Sequence, residues 1–160
     1  EVEVHGIVSK AGRIVMKHEL QMSPDDLNDY VERWYPIDDF TAPMSSGSSG
    51  FDAMVVLPCT MGSLGAIANG LSENLIHRAA DVILKEKRQL LLAVRETPFN
   101  RIHLQNMLKV QEAGAVICPP MPSFYHHPED LTEMARFFAG RVGDLLGLKI
   151  PNLKRWQGIN

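Results

Sequence analysis

The 160-residue sequence is short of several things, and each shortage excludes a class of protein. It holds two cysteines, Cys59 and Cys118, too few for a disulfide-built scaffold, and neither belongs to a CxxC pair or to zinc-ligand spacing. Each ends an apolar run beside a proline, which reads as a buried free thiol and favours a reducing, cytoplasmic setting. No apolar run approaches the roughly 20 residues of a membrane-spanning helix, so no membrane partner is expected. Lys and Arg number 16 against 19 Asp and Glu, a formal net charge of −3, which leaves no global positive field to gather nucleic acid. The six histidines are scattered, and His126-His127 has no third ligand nearby, so no metal is expected. The GxxxxGK[ST] spacing of a P-loop is missing as well.

What is present has the balance of one compact domain, 45% hydrophobic and 22% charged. A strand is expected over residues 2–8, then a helix from Ser9 to about Leu20. Ser23-Pro24-Asp25-Asp26 carries a capping residue, a first-turn proline and first-turn acids, which predicts a helix with Leu27, Tyr30, Val31 and Trp34 on one face. Residues 35–52, including SSGSSG, read as a native Gly/Ser loop. Short apolar runs at 53–57, 89–94 and 115–118 read as buried strands. Helices are expected over 61–69, 73–87, 101–112 and about 128–146. Strands that are continuous apolar runs, alternating with helices, specify a doubly wound α/β domain: a parallel sheet with helices on both faces. One domain spans 1–160, ending in a tail over 149–160.

Such sheets bind ligands beyond the carboxyl ends of their strands. Polar groups collect at those positions: Ser9, then Thr60 to Ser63 in PCTMGSLG, then Arg95-Glu96, then Ser123 to Tyr125. Thr60 and Ser63 at a helix start serve either as a plain cap or as an anion cradle. Arg95 and Glu96 are either an ion pair or ligand-facing groups. Arg78 and Lys85 lie two turns apart on one helical face, usually a solvated one, with the small surface of Ala79-Ala80 between them open to a close approach. Arg78, Lys85 and Arg95 together with hydroxyls point to phosphate.

Five blocks, SKAG, LPCTMGSLGAIANGLSENLIHRAADVILKEKR, VRETPFNRIHLQNML, GAVICPPMPSFYHHPEDL and RWQG, together resemble the UbiX-type flavin prenyltransferases, in nearly constant register from Ser9 onward. The resemblance implies a flavodoxin-like fold. It also implies transfer of a dimethylallyl group from dimethylallyl phosphate to reduced FMN, forming a ring across N5 and C6, with the product serving a UbiD-type decarboxylase. By the same resemblance Ser9, Thr60, Met61, Gly62, Ser63 and Arg95 hold FMN, and Lys85, Arg95, Tyr125 and Arg141 hold the prenyl phosphate. Glu19 and Glu96 are acids near the reacting edge, Arg78 supports, and Trp156 packs towards a neighbouring subunit of a homo-oligomer, typically a dodecamer.

The family pattern opens with a strand and a GxSGA-type loop that cradles the FMN phosphate, and the residues here begin after it. A central gap in the sheet, with unpaired backbone groups on two strands, is therefore expected. That gap makes a non-catalytic flavin-binding or scaffold subunit the first rival reading. A flavin-dependent cysteine decarboxylase is the second, although its PxMN-type signature is replaced here by RETPFN and PPMPSFY.

Overall fold

A computed structural model describes residues 2–125, 127–151, 153, 155 and 158. In chain order the elements are β1 (His5–Ile7), α1 (Lys10–Leu20), β2 (Arg33–Tyr35), β3 (Ala53–Cys59), α2 (Met61–Ala68), α3 (Leu75–Lys85), β4 (Gln89–Val94), α4 (Arg101–Glu112), β5 (Val116–Ile117) and α5 (Leu131–Leu145). All pairings are parallel, β1 with β2 and β3–β4–β5 in that order, as an α/β fold with a helix between successive core strands requires.

β4 is the centre of the core because its residues are apolar without interruption. Leu90, Leu92 and Val94 pack with Leu64 and Ile67 of α2, Ala80 and Ile83 of α3, and Val110 of α4. Leu91 and Ala93, which alternate to the other face, are equally buried. β3 follows β4 in register from Ala53↔Gln89 to Val56↔Leu92, then slips before Cys59↔Val94. Pro58 lies in that slip, where a residue without an N–H cannot serve the ladder.

Two expectations are corrected here. The strand over 2–8 shrinks to His5–Ile7. The helix expected after Ser23 is only a 3-10 turn, Pro24–Leu27. Its start signal is real, since the Ser23 amide and hydroxyl both bond the Asp26 carboxylate, at 2.6 and 3.0 Å. The next residues leave the helix because Arg33, Trp34 and Tyr35 pair with His5, Gly6 and Ile7. Trp34 covers Gly6 so closely that any Cβ there would collide with the indole. A distant partner strand overrides a local cap.

Among the described residues no ladder joins β1–β2 to β3–β4–β5. The two sheets meet through side chains: the His5 and Phe51 rings stand 4.9 Å apart edge to face, and Ile7 and Met54 both pack on a cluster of Tyr35, Ala42, Met44, Leu75 and Ala79. α1 has no buried residue, and Ile14 is 71% exposed. No helix among the described residues is long and apolar enough to cross a membrane.

Candidate active site at the strand ends

The turns after β1 and β3 each start a helix with a side-chain cap. Ser9 caps α1, its Oγ accepting from the Gly12 amide at 2.9 Å. Thr60 caps α2: its Oγ1 accepts from the Ser63 amide and donates to the Ser63 hydroxyl, both at 3.2 Å. The cap uses one first-turn amide and leaves those of Met61 and Gly62 pointing out of the helix end. Cap and cradle thus coexist. Around the position a Gly62 Cβ would take, the nearest side-chain atom among the described residues is Thr60 Oγ1 at 3.8 Å, so no side chain crowds this turn.

Cys59 closes β3 directly beneath this turn. It is fully buried, and burial pushes its thiol up to about 12. It is an apolar plug, not a nucleophile. Its carbonyl accepts from the Arg95 amide at 3.2 Å, which fastens the PCTMGS and RETP turns together.

Arg95 and Glu96 do not pair. Arg95 is exposed and has no ionic partner among the described residues, while Glu96 Oε1 accepts from the Thr97 amide at 3.0 Å. A guanidinium without a partner among the described residues, at the end of the central strand and on a backbone bonded to the residue before the α2 cap, is a site for an anion.

The other expected residues are placed less uniformly. Arg141, on α5, lies close enough to Cys118 to oppose the rise that burial imposes on that thiol, so α5 brings it to the end of β5. Tyr125 lies on the segment beyond β5, about half exposed. Glu19 sits in the last turn of α1, some ten residues and roughly 15 Å along the axis from Ser9. Lys85 ends α3 and precedes β4, so the six residues of β4, roughly 20 Å, separate it from Arg95. One chain therefore does not bring Lys85 to Arg95. Arg78 lies on the same helix as Lys85, bonded to Asp81 at 3.1 Å and to the Ser45 carbonyl at 3.1 Å. Ala79 and Ala80 are not an open surface: both are core residues, at 3% and 0% exposure. Trp156 lies outside the described residues. The tail before it returns to its own helix, with Ile150 and Leu153 seated on Gly143 and Gly140 and Arg155 bonded to Asp144 at 2.6 Å.

Sequence reasoning passed over His77, buried on α3 with Nδ1 lacking a partner among the described residues, and treated residues 45–50 only as a loop. Gly47 was the available signal, since the Glu86 carboxylate lies where a Cβ would stand and a side chain there would displace it. Among the described residues no His, Cys, Asp and Glu cluster could hold a metal ion.

This arrangement has close relatives. A family model described as flavoprotein matches residues 1–137. The flavin prenyltransferase UbiX of Methanocaldococcus jannaschii is 46% identical over 98% of this chain and 85% of its own length. A UbiX crystallised with FMN and dimethylallyl pyrophosphate superposes with a TM-score of 0.96 at 42% identity, covering 99% of this chain and 85% of that one. A dodecameric FMN-dependent UbiX-like decarboxylase from Escherichia coli O157:H7 gives 0.95 at 40% identity, with the same coverage of both chains. With identity sustained over nearly its whole length and the same fold, this chain belongs to the flavoprotein family and, within it, to the UbiX flavin prenyltransferases.

Proposed function

We propose that this protein joins the dimethylallyl group of dimethylallyl phosphate to reduced FMN at N5 and C6, and that the prenylated FMN passes to a UbiD-type decarboxylase. The observation that carries the reading is Arg95, unpaired among the described residues, on a backbone tied through Cys59 to the start of α2. FMN supplies the electron-rich positions to which the allyl carbons become attached. On the substrate, the allylic C–O bond breaks and phosphate departs with the bonding pair. Cations aimed at that oxygen stabilise the charge as it develops. Arg95 and Arg141 fill this role, Lys85 and the Tyr125 hydroxyl bind the other oxygens of the phosphate, Arg78 supports, and Ser9 with Thr60 to Ser63 holds the flavin. Closing the ring at C6 consumes the remaining C=C bond, whose other carbon takes up a proton while C6 gives one up; Glu96, next to Arg95, is better placed for this exchange than Glu19.

Because Lys85 stands at the other end of β4 from Arg95, the reading assigns its phosphate contact to the site of a neighbouring copy. The proposed assembly is the dodecamer of the Escherichia coli relative, in the cytoplasm, with Trp156 at a subunit boundary. β1 and β3 each lack a second partner strand among the described residues.

The test is anaerobic incubation of the complete protein with reduced FMN and dimethylallyl phosphate, followed by transfer of the flavin to a UbiD-type apo-decarboxylase. Decarboxylase activity is expected. A yellow protein that leaves the recipient inactive would favour a non-catalytic flavin carrier.

A further inference from the structure

The Ser/Gly segment 45–49 is fastened to α3 and to the turn after it by contacts outside the roles assigned above. Arg78 Nε donates to the Ser45 carbonyl, and Arg88 Nη2 donates to the Gly47 carbonyl at 2.8 Å. Between these clamps Gly47 lies directly on Glu86, whose carboxylate occupies the volume a Cβ would need. The same carboxylate, through Oε1, is 3.4 Å from Lys85 Nζ. The turn carrying Lys85 and Glu86 is itself fixed. Arg88 N donates to the Ile83 carbonyl at 2.9 Å and Lys87 N to that of Leu84 at 3.0 Å, with Lys87 left-handed at φ 56°.

We infer that Glu86, seated under Gly47, is a positioning residue that aims Lys85 at the substrate phosphate. The inference rests on the reading of Lys85 as a phosphate contact. A lysine has a flexible four-carbon stem and three equivalent donors, so its direction must be set from outside. The Lys85 side chain is 49% exposed, and Glu86 is its only ionic partner among the described residues. The 3.4 Å ion pair leaves donors of the ammonium available to an anion. The carboxylate's own charge repels a phosphate, so any benefit must come from orientation and not from the local field. Shape and an acceptor oxygen should therefore matter more than charge.

Steady-state kinetics in dimethylallyl phosphate, on the complete FMN-supplied enzyme, separates these terms. Lys85→Ala should raise KM by roughly tenfold or more, the loss of one charged hydrogen bond. Glu86→Ala and Gly47→Ala should each raise KM several-fold while kcat and FMN affinity hold. Glu86→Gln, which keeps the shape and the acceptor, should recover most of that rise. On a Lys85→Ala background, Glu86→Ala should add nothing. The inference is overturned if Glu86→Ala leaves KM unchanged or lowers it, if Gln behaves like Ala, or if the two effects add. A silent Lys85→Ala would overturn the phosphate reading and this inference together, whereas a damaging Lys85→Ala beside a silent Glu86→Ala overturns this inference alone. Should Gly47→Ala fail to fold, the three Glu86 comparisons still decide.

Discussion

The backbone amide of Arg95 donates to the carbonyl of Cys59 at 3.2 Å. This bond joins the last residue of β3 to the first residue past β4, just where the register slips at Pro58. It fixes the base of the Arg95 side chain relative to the α2 N-terminus while leaving the guanidinium free. Two turns that are 36 positions apart in sequence thus act as one surface.

Arg95→Ala should leave the fold intact, because the structural bond is made by the backbone. Turnover of dimethylallyl phosphate should fall by the equivalent of about 1.5–3 kcal/mol, the cost of one charged contact, or more in a water-excluded site. Circular dichroism and kcat/KM check the two halves separately. Unchanged turnover in a folded variant would show that Arg95 does not touch the reacting phosphate.

Thr60→Ala removes the cap of α2. A loss of about 0.5–2 kcal/mol of stability is expected from denaturant unfolding, together with weaker FMN binding. A variant that lost stability but bound FMN normally would reduce Thr60 to a cap.

His77 gives a pH signature. Burial lowers its pKa below the ordinary 6.5, with Glu73 opposing the shift more weakly. The folded state therefore disfavours the protonated ring. The stability it contributes is present above about pH 6.5 and is lost as pH falls through that value towards the lower folded pKa. Melting temperatures compared at about pH 7.5 and 5.5 should drop more for the natural chain than for His77→Leu. Equal drops would contradict this.

Cys59, with its thiol pushed up to about 12, should resist alkylation in the native protein near neutral pH and react only after unfolding. Peptide mapping after iodoacetamide treatment reads this directly. Rapid native labelling would mean that the β3 end opens.

The core was legible because its strands announce themselves: Gln89–Val94 and Arg101–Glu112 appear where their apolar runs and period predict. Pairings between distant segments were not. Nothing near Trp34 signals that Gly6 lies beneath it, so the strong cap at Ser23 predicted a helix where a parallel strand forms. The site shows the same division. Hydroxyls and charges at strand ends could be named from the chain, but their partners could not. Arg95 and Glu96 are adjacent in sequence yet unpaired. Lys85, ten residues before Arg95, lies at the other end of a strand. Small residues misled in both directions, since Ala79-Ala80 are core while Gly47 marks a contact.

The most direct measurement is the mass of the flavin itself. The complete protein, held anaerobically with reduced FMN and dimethylallyl phosphate, should yield a flavin heavier by one dimethylallyl group, in amounts that fall sharply with Arg95→Ala. Recovery of unmodified FMN alone, from a folded protein that binds both compounds, would contradict the account.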